Sequence, residues 1–108
     1  MITVTIFKKN NLIVGAQVEG HAEYDRKGKD IVCSAISMLY INLVNSLENF
    51  TSDDKELNGS RKINFENVIL KNMPSNEAEL LFRSFHLGIT TVEQKYGKRY
   101  INILEQEV

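Results

Sequence analysis

Residues 2–18 read ITVTIFKKNNLIVGAQV. Ile2, Val4 and Ile6 alternate with Thr3, Thr5 and Phe7, the period of two expected of a strand with one buried face. The polar group Lys8-Lys9-Asn10-Asn11 breaks the alternation, and Leu12, Val14, Ala16 and Val18 restore it on one side. Two such runs around a short polar break predict a β-hairpin, with Gly20 closing its second strand.

Downstream of the hairpin, no period holds from His21 to Lys29. This segment reads as an irregular loop bracketed by Gly20 and Gly28, two hinges that would let it move over a neighbouring site. Asp30 is placed to cap a first helix, its carboxylate accepting a free N–H of the first turn. The apolar stripe of that helix is Val32, Ile36, Leu39, Leu43, Leu47 and Phe50. Residues 51–60, TSDDKELNGS, are polar, contain Asn58-Gly59 and read as an exposed loop. Residues 61–70 hold Ile63, Phe65, Val68, Ile69 and Leu70; the phase slips near Glu66-Asn67, which predicts one strand with a bulge.

Pro74-Ser75 opens a second helix with Ser75 as N-cap and Glu77 and Glu79 in its first turns. Ala78, Leu81, Phe82, Phe85, Ile89, Val92 and Tyr96 form its stripe, and Gly97 ends it. A last strand runs over 99–104 through Ile101 and Ile103. The order ββαβαβ predicts an α+β (α/β two-layer) fold, a single sheet of about four strands packed with two long helices in one domain over 1–108.

Composition sets outer bounds on function. The chain has 108 residues, 43% of them hydrophobic, which is enough for a core without disulfides. A lone cysteine excludes an internal disulfide. No leader pattern precedes the first alternation, and no apolar run approaches membrane-spanning length. A reducing cytoplasm is the expected setting, without a membrane partner. Thirteen Lys and Arg against 14 Asp and Glu give a net charge of −1. That balance argues against direct nucleic-acid binding, which needs a clustered positive excess.

The P-loop, the dinucleotide-binding glycine pattern and a zinc-ligand cluster are absent from the sequence, so no cofactor or metal is expected. One constellation carries chemistry: Gly20-His21-Ala22, then Gly28-Lys29-Asp30-Ile31-Val32-Cys33-Ser34-Ala35-Ile36-Ser37. With Asp30 as cap, Cys33 falls in the first helical turn, where free N–H groups and the macrodipole favour an anion. His21, leaving the second strand, would complete a nucleophile–base pair. On the helical wheel Cys33 lies on the flank of the buried stripe, about 80° from its centre, with Ser37 one turn on. Periodicity alone leaves two readings open: a small buried hydrophobe, or a reactive thiol. Asp30 is explained fully as a cap and needs no catalytic role. His86, on the flank of the second helix, reads as structural.

This segment resembles the ribosomal-processing cysteine protease (Prp) family. The shared pattern is a Gly-His-Ala turn, a short loop, then Gly-x-Asp-Ile-Val-Cys-[Ala/Ser]-Ala-[Val/Ile]-Ser. Ser34 stands where alanine is commoner. Glu93-Gln94-Lys95-Tyr96-Gly97 followed by Tyr100-Ile101 matches a second, weaker signature, and the resemblance covers the whole chain. It implies a homodimeric protease that removes the N-terminal extension from the precursor of large ribosomal subunit protein twenty-seven. It also implies Cys33 as nucleophile and His21 as base, with Asp30 and Ser37 in supporting positions. The competing class is a non-enzymatic ribosome-assembly or peptide-binding module in which Cys33 only packs. Independently of the family, Leu80, Ser84, Leu87 and Thr91 line the face of the second helix opposite its stripe. Leu80 and Leu87 are therefore expected in a homodimer interface.

Overall fold

The structure is a computed structural model that describes the backbone of residues 1–20 and 27–108 and the side chains of residues 1–20 and 31–108. Asn10 and Asn11 both take positive φ, 52° and 66°. A tight hairpin turn needs that conformation, and asparagine tolerates it. They join β1 (Ile2–Lys9) to β2 (Leu12–Glu19), with Val4 opposite Val18 and Ile6 opposite Ala16. The hairpin is as expected, but its alternation is not simple. Phe7 pairs with Gly15 and Lys8 with Ile13, so Val14 is left over as a bulge. The phase changes there, and Ile13 rather than Val14 joins Ala16 in the helix-facing core.

Among the described residues, five strands form one sheet in the order β3-β4-β2-β1-β5. β5 (Ile101–Glu107) lies parallel to β1, and the other neighbours are antiparallel. The strand beyond the expected order is β3 (Lys55–Ser60), inside the segment read as a loop. It is an edge strand that the helices leave uncovered. Its side chains are mostly exposed and, Leu57 apart, polar, so no alternation betrays it. Its partner β4 (Phe65–Leu70) pairs without a slip on both sides, so the expected bulge near Glu66-Asn67 is absent. Ile63, read as part of that strand, belongs to a short 3-10 helix, Arg61–Ile63, and is exposed.

The slip in phase has another cause. Glu66 pairs with Val18 and Gly59 on the helix-facing side, whereas Asn67 faces the open side of the sheet. There Asn58 Nδ2 donates to Asn67 Oδ1 (3.0 Å), Asn67 Nδ2 to Gln17 Oε1 (3.1 Å) and Gln17 Nε2 to Glu19 Oε2 (2.8 Å). This amide row lets a polar residue as buried as Asn67 keep its partners.

Two helices cover the other face. α1 spans Lys27–Phe50, so Gly28 and Asp30 lie inside the helix and not before it. Asp30 is therefore not its N-cap, and Gly28 is not a loop hinge. Lysines on either side of Gly28 are good helix formers, and one glycine costs only about 1 kcal/mol against alanine. A carboxylate in a first turn is still favoured by the macrodipole. Val32, Ile36, Tyr40, Leu43 and Leu47 are buried; Phe50, counted with that stripe, is 72% exposed at the helix end. Contrary to expectation, Ile31–Phe50 is long and apolar enough to cross a membrane by length and composition. Here its apolar stripe is the centre of the core, packed with Ile6, Val68 and Phe82.

α2 spans Asn76–Tyr96 and buries Ala78, Phe82, Phe85, Ile89 and Val92, as its stripe predicts. Gly88 lets α1 approach: a Cβ there would stand 2.8 Å from Leu39 Cδ2. Leu80 and Leu87 face outward, 62% and 67% exposed. Ser75 caps α2 as expected, its Oγ accepting from the Ala78 N–H at 3.1 Å. Gly97 ends the helix at φ 100°.

The cap is itself held. Asp53 accepts from the Ser75 N–H at 2.8 Å and from the Ser75 hydroxyl. Burial pushes the Asp53 carboxyl up, but the bonds from Ser75 and then Thr51 outweigh it and hold it below its usual range. A depressed carboxyl stabilises the fold above the ordinary aspartate range and loses that contribution as pH falls through its folded value. Asp53→Ala should thus lower stability at pH 7 by about 1 kcal/mol, the worth of a hydrogen bond. In thermal melts, the gap to wild type should narrow below about pH 4, near the ordinary aspartate value. A gap that does not change with pH would contradict this role.

Candidate active site

Several chain ends meet beside α1. β1 starts there at Ile2, β2 ends there at Glu19 with Gly20 following, and β4 begins there after the 3-10 helix. The Gly20 N–H donates to Asn64 O at 3.0 Å, which ties the end of β2 to the turn before β4. Asn64 takes a left-handed φ of 55° to make that turn. Gly20 has φ 92°, and a Cβ on it would run into the Met1 carbonyl. Glycine is thus required at Gly20 both by conformation and by space.

These ends surround a cleft of about 150 Å³ whose helical wall is Cys33 and Ser37. Gly20, Asn64 and Glu66 line it from the sheet side. Cys33 is half-buried, packed at the edge of the core and open on its other side. Val32, its neighbour, is fully buried. A step of about 100° along the helix therefore carries the thiol out of the core and into the cleft. Ser37 follows on the same face, at a Cβ separation of about 5–6 Å typical of i, i+4 neighbours.

Cys33 is the seventh residue of α1, and so stands in the second turn instead of the first. The N–H groups a helix leaves free belong to its first four residues. Backbone donors at the helix start are thus one turn away from the thiol, not beside it as expected. Ser37 and Asn64 are polar groups that the cleft itself supplies.

Gly20, Cys33 and Ser37 are brought together as expected. His21 lies outside the described residues, as do the side chain of Asp30 and most of the loop read over 22–29; residues 27–29 of that loop are helical. His21 is nonetheless one peptide bond from Gly20, and consecutive Cα atoms stand about 3.8 Å apart. His86 is half-buried on α2, away from the cleft's lining.

Glu66 was not anticipated. It lines the Cys33 cleft from β4 and faces the helices, where an apolar residue is the rule. Its charge also reaches Tyr40: burial, and then Glu66, hold the Tyr40 phenol well above its ordinary range, so it remains an O–H. The phase slip at Glu66-Asn67 was the signal in the sequence, read as a bulge when it marked a carboxylate facing inward.

Known proteins resemble this chain over most of its length. The family described as Cysteine protease Prp matches residues 1–102. The ribosomal processing cysteine protease Prp of Staphylococcus aureus is 25% identical over 99 residues, covering 91% of this chain and 93% of that protein. A crystal structure of a Streptococcus mutans protein superposes with a TM-score of 0.86 at 27% identity, covering 100% of this chain and 99% of that one. The S. aureus protease in complex with a substrate peptide shares the fold, with a TM-score of 0.88 at 23% identity over 98% of this chain and 100% of that one. The match decides between the enzyme and the module without chemistry: the chain belongs to the Prp family of ribosomal-processing cysteine proteases.

Proposed function

We propose that this protease removes the N-terminal extension from the precursor of large ribosomal subunit protein twenty-seven, with Cys33 as nucleophile and His21 as general base. The observation that carries this reading is the placement of Cys33 on the wall of a cleft that Gly20 also lines, one residue before His21. Related crystal structures of the S. aureus protease hold a substrate peptide and a covalently linked product peptide. A covalent link to product is what acyl transfer to a cysteine leaves behind.

In this mechanism the Cys33 thiolate attacks the scissile carbonyl and forms a tetrahedral oxyanion. Ser37 and Asn64 stand in the same cleft as donors for that charge. Collapse gives a thioester on Cys33 and expels the amine, which takes its proton from His21. Water activated by His21 then releases the new C-terminus and regenerates the thiol. We also assign Asp30, three residues before Cys33 in the sequence, to orienting His21.

The protein acts in the cytoplasm as a homodimer, without a nucleic-acid or membrane partner. Its net charge of −1 and the use of α1 as the core helix support that setting. The outward face of α2, with Leu80, Ser84, Leu87 and Thr91, is the proposed contact between copies. Both leucines are exposed in the single chain, as an interface of that kind requires.

Two sets of variants test these statements. Cys33→Ser and His21→Ala should fold like wild type by circular dichroism and lose cleavage of a peptide spanning the precursor junction. The expected loss is about a thousandfold or more, as when one member of a catalytic unit is removed. Cleavage by Cys33→Ser at near wild-type rate would remove Cys33 from the role of nucleophile. Leu80→Glu combined with Leu87→Glu should give a monomer in light scattering at micromolar concentration. A dimer of unchanged size would place the interface elsewhere.

A further inference from the structure

Glu66 belongs to two clefts. One holds Cys33 and Ser37; the other, of about 270 Å³, is lined by Tyr40, Ile41, Val44 and Leu57 among others. The α1 residues in these clefts, Cys33, Ser37, Tyr40, Ile41, Val44 and Asn45, fall at spacings that keep them on one face of the helix. The opposite wall is the β3–β4 hairpin with its 3-10 turn, joined near Cys33 by Ile2, Val18 and Gly20. The two clefts meet at Glu66 and run end to end along α1 as one groove. At about 1.5 Å per residue, the twelve residues from Cys33 to Asn45 give it a length of about 18 Å. The ion pair between Lys55 Nζ and Glu48 Oε2, at 2.6 Å, bridges β3 to α1 beyond its far end.

Near Cys33 the walls mix Ile2, Val18 and Phe65 with Ser37, Asn64 and Glu66. At the far end Leu57 is 54% exposed on a strand of otherwise polar exposed residues. Ile41 and Val44 are half-buried opposite it. Leu57 pairs with Val68 and so points to the helix side of the sheet, yet no helix covers it. An apolar side chain on an uncovered edge strand, continuous with a nucleophile's cleft, marks a place where something apolar docks.

Resting on the protease reading, we propose that the groove holds the substrate as an extended peptide, one of whose apolar side chains packs against Leu57, Ile41 and Val44. The path from Cys33 to Ile41 and Val44 is about 12–17 Å, which an extended chain covers in about four or five residues. Specificity is thus set at a distance from the scissile bond, on one side of it only. Glu66 at the midpoint favours peptides without an acidic side chain there.

The test measures kcat/KM for a peptide spanning the precursor junction and for peptides shortened one residue at a time from either end. Wild type should lose about tenfold or more when one side drops below four residues, as expected for removing a buried apolar anchor. The other side should tolerate shortening. Leu57→Glu should show the same loss on the long peptide and none on the short one. Equal kcat/KM for wild type and Leu57→Glu on the long peptide would overturn the proposal, as would equal losses on long and short. If Leu57→Glu melts early, Leu57→Ala gives the same comparison with a loss of about threefold.

Binding separates this proposal from the reading on which it rests. The labelled long peptide should bind Cys33→Ala about tenfold more tightly in fluorescence anisotropy than it binds Cys33→Ala with Leu57→Glu, the worth of an apolar anchor. That result would support the groove even if wild type cleaved nothing. Equal affinities would overturn it even if wild type cleaved well.

Discussion

Burial of one stripe of α1 against the sheet is the constraint from which the site follows. Val32, Ile36 and Leu47 are fully buried, and Tyr40 and Leu43 nearly so. Each such side chain contributes on the order of 1.5–3 kcal/mol when removed from water. Together they fix the rotation of the helix about its axis. Cys33 follows Val32 by one residue, so its direction is set by packing that involves no chemistry. If the helix turned by one residue, the thiol would enter the core and lose access to any substrate. The same rotation aligns Ser37, Tyr40, Ile41 and Val44 along the groove.

The sheet supplies the opposite wall through its ends and its edge. Gly20 and Asn64 adopt left-handed backbone conformations, and the hydrogen bond between their peptide groups holds the end of β2 against the start of β4. The Cys33 cleft is thus framed by a backbone bond between two turns. β3 extends the sheet beyond the reach of the helices and leaves Leu57 uncovered. A two-layer fold whose sheet is wider than its helical layer has such a shelf at one edge, and this chain places the shelf along the same face of α1 as Cys33.

Much of this was legible in the residues. The hairpin followed from alternation and Asn10-Asn11, α2 from Ser75, its apolar stripe and Gly97, and the core of α1 from its spacing. Cys33, Ser37 and Gly20 were singled out by pattern and do share a cleft. What escaped had physical reasons. β3 has one exposed face, one uncovered face and, Leu57 apart, polar side chains, so no period marks it. The bulge at Val14 is hidden because Ile13 and Val14 are both apolar and either could have filled the core position. Glu66 was obscured because an inward carboxylate and a bulge disturb alternation in the same way. The start of α1 was misplaced because Asp30 suits an N-cap and Gly28 suits a turn, while helix propensity and tertiary packing favour a longer helix.

The central claim is that Cys33 forms a covalent bond to the substrate's carbonyl carbon. Rapid acid quenching of the protein during turnover of the junction peptide, followed by mass spectrometry of its proteolytic fragments, tests this directly. The fragment containing Cys33 should gain the mass of the acyl half of the peptide, less water, on a time scale that matches turnover. The adduct should be lost on treatment with hydroxylamine, as a thioester is. Turnover with no adduct on that fragment at any quench time, or with the adduct on a different residue, would contradict the account.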